Sequence, residues 1–212
     1  ARGQNIGNIL ELEAGEKITS CISVDEFTDT HYLTMVTRNG VIKRTKLSEY
    51  EYQRKGGKIA LNLDEGDELV FVIATYGECD LLIATAQGQA VRFSESNVRA
   101  MGRTARGVRG ISLRGDDYVA GVCVVEEGKD LLCVTENGYG KKTPVSEFKV
   151  QFRGGKGVTG HKPKEEDFVE NMFITSTHDD VMFFTNHGKV YRIKGYEVPE
   201  AQKTARGRAI VN

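Results

Sequence analysis

Four segments of the chain align without a gap. They are LTMVTRNGVIKRTKLSEY at 33–50, LLIATAQGQAVRFSESNV at 81–98, LLCVTENGYGKKTPVSEF at 131–148 and VMFFTNHGKVYRIKGYEV at 181–198, with starts 48, 50 and 50 residues apart. Self-similarity at a fixed period near 50 restricts the fold to architectures that repeat one supersecondary unit. Each unit has an apolar run, a Thr, two polar or small residues, a Gly and a second run, which reads as a β-hairpin. The first arm is nearly all apolar and therefore buried on both faces. The turn pairs are Asn39-Gly40, Gln87-Gly88, Asn137-Gly138 and His187-Gly188. Asn-Gly predicts a two-residue type I′ turn, because both residues tolerate positive φ.

A further apolar run precedes each hairpin: KITSCISV, ELVFVIAT, YVAGVCVV and FVENMFIT. Each period thus carries at least three strands, and the joining segments can supply a fourth. Four-stranded units at this period predict an all-β, propeller-like ring or arc of blades with half or more of its residues in strands. A β-sandwich is the competing architecture. No long segment has an apolar period of 3.6, so any helix is expected to be short.

The 212 residues carry a formal net charge of −1, with 24 glycines and three prolines. Many glycines with few prolines point to tight turns rather than a disordered linker. Near-neutral charge argues against a uniformly basic surface but not against segregated cations. Four residues past each turn glycine stand Arg44, Arg92, Lys142 and Arg192, and Lys43 and Lys141 sit beside two of them. In-register repeats predict a solvent-exposed row of these cations along one rim. The alternative is that exposed strands carry Lys and Arg for solubility and edge protection.

The connectors between units alternate between two basic types. QRKGGKI at 53–59 supplies Gln53, Arg54, Lys55 and Lys58; QFRGGKG at 151–157 supplies Gln151, Arg153, Gly154, Gly155, Lys156 and Gly157. GRTARGVRG at 102–110 supplies Arg103, Arg106 and Arg109; QKTARGRAI at 202–210 supplies Lys203, Arg206 and Arg208. Glycine lets backbone approach a phosphate and exposes N–H donors, while Arg and Lys supply charge. The acids cluster elsewhere, in LELEAGE, LDEGDE, VEEGKD and KEEDFVE. Together the connectors read as rim contacts for a polyanion, duplex DNA or an acidic protein partner, with a purely structural repeat protein as the remaining reading. Aromatic residues are only 8% and follow no single register, which favours duplex backbone over stacked single-stranded bases.

Cys21, Cys79, Cys123 and Cys133 lack C-x-x-C spacing, so reduced thiols are expected. No phosphate-loop motif occurs, and His31, His161, His178 and His187 show no metal-ligand spacing. No cofactor, metal, membrane or small-molecule substrate is expected, and the chain reads as a cytoplasmic protein or a fragment of one.

The Q-x-[RK]-G-G-K loops, the TARG connectors and the stretches NGYGKKTPVSEF and FVENMFITSTHDDVMFFTNHGKVYRIKGYEVPEA resemble the C-terminal domain of the bacterial DNA gyrase A protein over essentially the whole chain. The related C-terminal domain of topoisomerase IV is similar but more degenerate. The family motif is Q-R-R-G-G-K-G; residues 151–157 match it at six of seven positions, with Phe152 for the first Arg. The resemblance implies one β-pinwheel domain over 1–212, a fragment or rearranged version of a larger domain, whose blades exchange strands. It implies a module that wraps double-stranded DNA on its outer edge, with residues 151–157 as its characteristic box. The rest of the gyrase A protein and the gyrase B protein would be its partners, and catalysis would lie outside this chain. The family domain has about six repeats, whereas four are present here, in an order that looks rotated.

Overall fold

A computed structural model describes residues 3, 9–52, 54 and 56–210; Gln53 and Lys55 lie outside the described residues. The four repeats form four antiparallel hairpins: β1 (Tyr32–Thr37) with β2 (Val41–Lys46), β4 (Asp80–Thr85) with β5 (Gln89–Ser94), β8 (Asp130–Thr135) with β9 (Tyr139–Pro144), and β12 (Asp180–Phe184) with β13 (Val190–Lys194). The runs between hairpins give β3 (Leu69–Thr75), β7 (Val119–Val124) and β11 (Val169–Thr175), and the connectors give three two-residue strands, β6 (Val108–Arg109), β10 (Val158–Thr159) and β14 (Arg208–Ala209).

Pairing runs backwards along the chain. β3 and β6 complete the sheet of the first hairpin, in the order β3-β1-β2-β6. The second and third sheets repeat this as β10-β5-β4-β7 and β11-β8-β9-β14, while among the described residues the fourth has β12 and β13 alone. Each complete sheet therefore holds its own hairpin plus two strands donated by the following repeat. β7 packs against β3 and β11, which puts these strands toward the centre of the arc and leaves β6, β10 and β14 on its perimeter.

Three expectations need correction. Residues 17–24 form no strand: runs of this kind pair with the hairpin before them, and no such hairpin precedes residue 32 among the described residues. Strands cover well under half of the described residues, because the long connectors cross the outer edges largely unpaired. The hairpin turns are not type I′. No described Asn has positive φ, whereas Gly40, Gly88, Gly138 and Gly188 all do (+84°, +83°, +77° and +71°). Gly40 N donates to Thr37 O at 3.1 Å, and its counterparts donate likewise. That is a three-residue loop, a type I turn followed by a left-handed glycine.

The invariant Thr of the repeat is part of this turn. Thr37, Thr85, Thr135 and Thr185 accept, through Oγ1, the backbone N–H of Val41, Gln89, Tyr139 and Lys189 at 3.1–3.3 Å. Acids ahead of the donated strands close the same turns from outside. Asp67, Asp117 and Asp167 accept from the backbone N–H of Asn39, Gln87 and Asn137 at 3.0, 2.9 and 3.2 Å.

The core lies between sheets. Val36, Ile42, Leu81, Ile83, Val91, Phe93 and Ile111 form one buried cluster, and Leu82, Ala90, Leu131, Val145 and Phe148 the next. The only helical elements among the described residues are 3₁₀ turns after each hairpin, Leu47–Tyr50, Glu95–Asn97, Val145–Glu147 and Gly195–Glu197.

His161 occupies the position of Ile111 one repeat later. Its N–H donates to Gly88 O at 3.0 Å as Ile111 N donates to Gly40 O at 3.3 Å. It is 1% exposed, and neither ring nitrogen has a hydrogen-bond partner. Burial, aided by the charge of Lys141, lowers its pKa from 6.5 to about 4. The unfolded chain thus binds the extra proton first, and stability falls as pH drops from about 6.5 towards 4. Between pH 7 and pH 5 this site should lose about 2 kcal/mol. Urea midpoints at the two pH values will show that His161→Ile removes this part of the acid sensitivity; an unchanged sensitivity would disprove it.

Candidate nucleic-acid interface

The basic connectors run along the outer edges of the sheets. Arg44 bridges in parallel to Ala100, Arg92 to Val150 and Lys142 to Glu200, which lays the start of each connector beside β2, β5 and β9. The chain then turns through a left-handed glycine, Gly107, Gly157 or Gly207 (φ +94°, +72° and +77°), into β6, β10 or β14. A Cβ on these glycines would lie 2.7, 2.6 and 2.6 Å from the carbonyl oxygens of Ile42, Ala90 and Gly140. The last box glycine is therefore required by the chain crossing.

The cation row predicted from register exists but does not face solvent. Arg44, Arg92 and Lys142 are 9%, 8% and 5% exposed. They meet carboxylates: Arg44–Glu95 at 3.2 Å, Arg92–Asp80 at 2.8 Å with Glu127 on the same Nη2, and Lys142–Asp130 at 3.6 Å. Arg192 pairs with Asp180 at 3.2 Å but stays exposed, because the fourth sheet lacks the strands that would cover it. The physical reason is a second row in the same register. Asp80, Asp130 and Asp180 open β4, β8 and β12, each one diagonal step from its cation across the hairpin. In the first blade Tyr32 takes that place, and the Arg44 guanidinium lies 4.4 Å from its ring centre.

Lys43 and Lys141 are likewise corrected. Both are fully buried. Lys43 Nζ donates to Ala60 O at 2.6 Å and to Arg103 O, joining two connectors; Lys141 Nζ donates to Gln202 O and Lys203 O at 2.6 and 2.7 Å. Burial lowers both ammonium groups to about 8. The second repeat has Val91 at this position, and there the lock comes from the connector itself. Arg153 Nε donates to Asn97 O at 2.8 Å and Nη1 to Arg109 O at 3.1 Å. The box backbone is tied down as well. Gln151 N donates to Arg92 O at 2.7 Å, Gly154 N to Gly110 O at 2.6 Å, and Ser112 N to Gly155 O at 2.9 Å. Gly154 N–H is thus not a free donor for an anion, and Arg153 is half-buried and engaged.

Of the residues singled out in the sequence, Arg54, Arg106, Arg109, Lys156, Arg206 and Arg208 have exposed side chains on the connectors, as does the backbone of Gly155. Lys58, Arg103 and Lys203 are half-buried; Arg103 donates to Ile59 O at 3.4 Å and Lys203 Nζ to Glu147 O at 3.3 Å. Arg106 also pairs with Asp64 at 2.5 Å, an exposed contact of little energetic weight. Two cations escaped the sequence reading. Arg99 and Lys149 are exposed at equivalent positions just before the bridges, and their 50-residue spacing is a signal that could have found them.

The thiols of Cys79, Cys123 and Cys133 are raised to about 12, chiefly by burial. No cluster of His, Cys, Asp and Glu able to hold a metal occurs among the described residues. No described helix is long and apolar enough to cross a membrane.

The model of the DNA gyrase C-terminal domain, beta-propeller, matches residues 31–75, 80–126, 129–176 and 179–212, one match per repeat. The chain belongs to the DNA gyrase C-terminal domain family. The DNA gyrase A protein of Halalkalibacterium halodurans is 49% identical over 112 residues, and that of Salmonella typhimurium 47% identical over 124. These alignments cover 53% and 58% of this chain but only 13% and 14% of those proteins. Among solved structures, the C-terminal domain of a DNA topoisomerase IV superposes with a TM-score of 0.90 at 27% identity, covering 99% of this chain and 66% of that one. A DNA gyrase A C-terminal domain superposes with a TM-score of 0.88 at 28% identity, covering 100% and 71%. The four repeats thus follow the curvature of longer members of the family.

Proposed function

We propose that the chain is the duplex-DNA-binding module of a gyrase. It holds the phosphate backbone without sequence readout along the outer edges of its sheets and bends the duplex around them. The observation that carries this reading is the sorting of charge. The buried cations of the sheets are engaged by carboxylates or backbone carbonyls, while Arg54, Arg99, Arg106, Arg109, Lys149, Lys156, Arg206 and Arg208 stand exposed on the perimeter connectors. Family membership supports DNA rather than an acidic protein as the polyanion. The chain acts without catalysis of its own, in the cytoplasm, beside the rest of the gyrase A protein and the gyrase B protein. There its wrap gives ATP-driven strand passage its supercoiling direction.

Bending a site of 20–30 bp by 40–90° costs on the order of 1–6 kcal/mol, so several phosphate contacts must act together. Binding to a 30-bp duplex should weaken steeply and log-linearly with salt. Replacing Arg109, Lys149 and Lys156 together with Ala should reduce the log–log slope by about three. A flat slope for the unaltered protein would sink the reading. Arg153→Ala should act differently from Lys156→Ala. It frees the box from Asn97 and Arg109, so it should reduce linking-number change on closed circles more than it reduces the salt slope.

A further inference from the structure

Phe152 stands where the family box has its first Arg, and its side chain is 85% exposed. Its neighbours are not free to let it fold inward. Gln151 N is bonded to Arg92 O, Arg153 holds Asn97 O and Arg109 O, and Gly154 N is bonded to Gly110 O. The ring is therefore displayed from a fixed backbone at the middle sheets of the arc. Val150, 55% exposed, lies two residues before it, and the exposed cations Arg109, Lys149 and Lys156 stand on the same pair of connectors. No other connector has an aromatic ring at this position: the equivalent residues are Gly102, Gln202 and, in the second box copy, Arg54. An apolar tip on a fixed backbone, with phosphate-seeking cations on the same connectors, suits a groove whose walls are deoxyribose and whose floor is base edges. Apolar side chains inserted there part a base step and kink the duplex towards the major groove.

We infer that Phe152 is a wedge that enters the minor groove of the bound duplex and concentrates its bend at one step. The inference rests on the proposed duplex binding and adds to it a point of contact that is apolar and favours deformable steps. Pyrimidine–purine steps unstack most readily, so the wedge gives an otherwise indifferent module a mild preference for TpA.

The test uses the 212-residue chain and two 30-bp duplexes, one with a single central TpA step and one without. 2-Aminopurine replaces the adenine of that step, and dyes at the duplex ends report bending. The unaltered protein should brighten the 2-aminopurine, shorten the end-to-end distance and prefer the TpA duplex at least about threefold. Phe152→Leu should keep these effects. Phe152→Arg should lose the brightening and the TpA preference and shorten the distance less, while binding as tightly, with a salt slope steeper by about one. Because the ring has no buried contacts, thermal midpoints of the variants should match the parent, which separates the effect from misfolding. If all proteins bind in a salt-dependent manner with equal preference and equal distances, the wedge is overturned and rim binding stands. If none binds the duplexes, both fall.

Discussion

Arg92→Met is expected to lower unfolding free energy by about 3–5 kcal/mol, the range for breaking a buried charged network by removing one partner. Arg192→Met, at the same place in the repeat, should lower it by less than about 1 kcal/mol. Arg92 is 8% exposed. Its guanidinium reaches Asp80 and Glu127 as well as the carbonyl oxygens of Val145 and Phe148 at 3.3 and 3.4 Å. Removing it strands a partly buried carboxylate and two carbonyls at the seam between the second and third sheets. Arg192 and Asp180 face water, which replaces the lost contact. Urea denaturation at neutral pH distinguishes the two. Equal losses would mean that the internal cation row contributes no more than surface charge does.

The glycines of the box should separate just as sharply. Gly157→Ala is expected to cost about 3 kcal/mol, made up of the left-handed strain of an L-residue and the displacement of a backbone carbonyl. The new Cβ would sit 2.6 Å from Ala90 O at φ +72°. The variant should also expose the amide of Val158 to hydrogen exchange, because β10 can no longer lie against β5. Gly155→Ala meets nothing closer than 3.9 Å and needs no positive φ, so its stability should stay within about 0.5 kcal/mol of the parent. If Gly155→Ala proved the more damaging to folding, the account of the crossing would be wrong.

The repeat was legible because hairpin chemistry recurs in one-dimensional register: apolar arm, Thr, Gly, second arm. The turn type was not. Asn-Gly suggests a two-residue loop, but the Thr hydroxyl captures the amide after the glycine and favours a loop one residue longer. The row of Arg44, Arg92 and Lys142 was seen for the same reason as the hairpins, yet its burial was misread. Asp80, Asp130 and Asp180 carry the same spacing and were not set against it. Exposure belongs to pairs of positions across a hairpin, and a scan of cations alone cannot see the partner. Lys43 and Lys141 were harder still, since a lysine that bonds backbone carbonyls has no complementary residue type to find. The family resemblance implied only that blades exchange strands; the backward direction, and β6, β10 and β14 themselves, were not legible. Two-residue strands reading VR, VT and RA have no periodicity of their own.

That backward pairing sets an order of assembly during synthesis. The first sheet needs Val108 and Arg109, so it stays open until the second hairpin has already been made. The second waits in the same way for Val158 and Thr159. Each new repeat therefore arrives as the fastener of the one before it, and the growing chain always trails one unlatched sheet. A stop or a cut within a repeat that donates strands therefore leaves the sheet before it open as well.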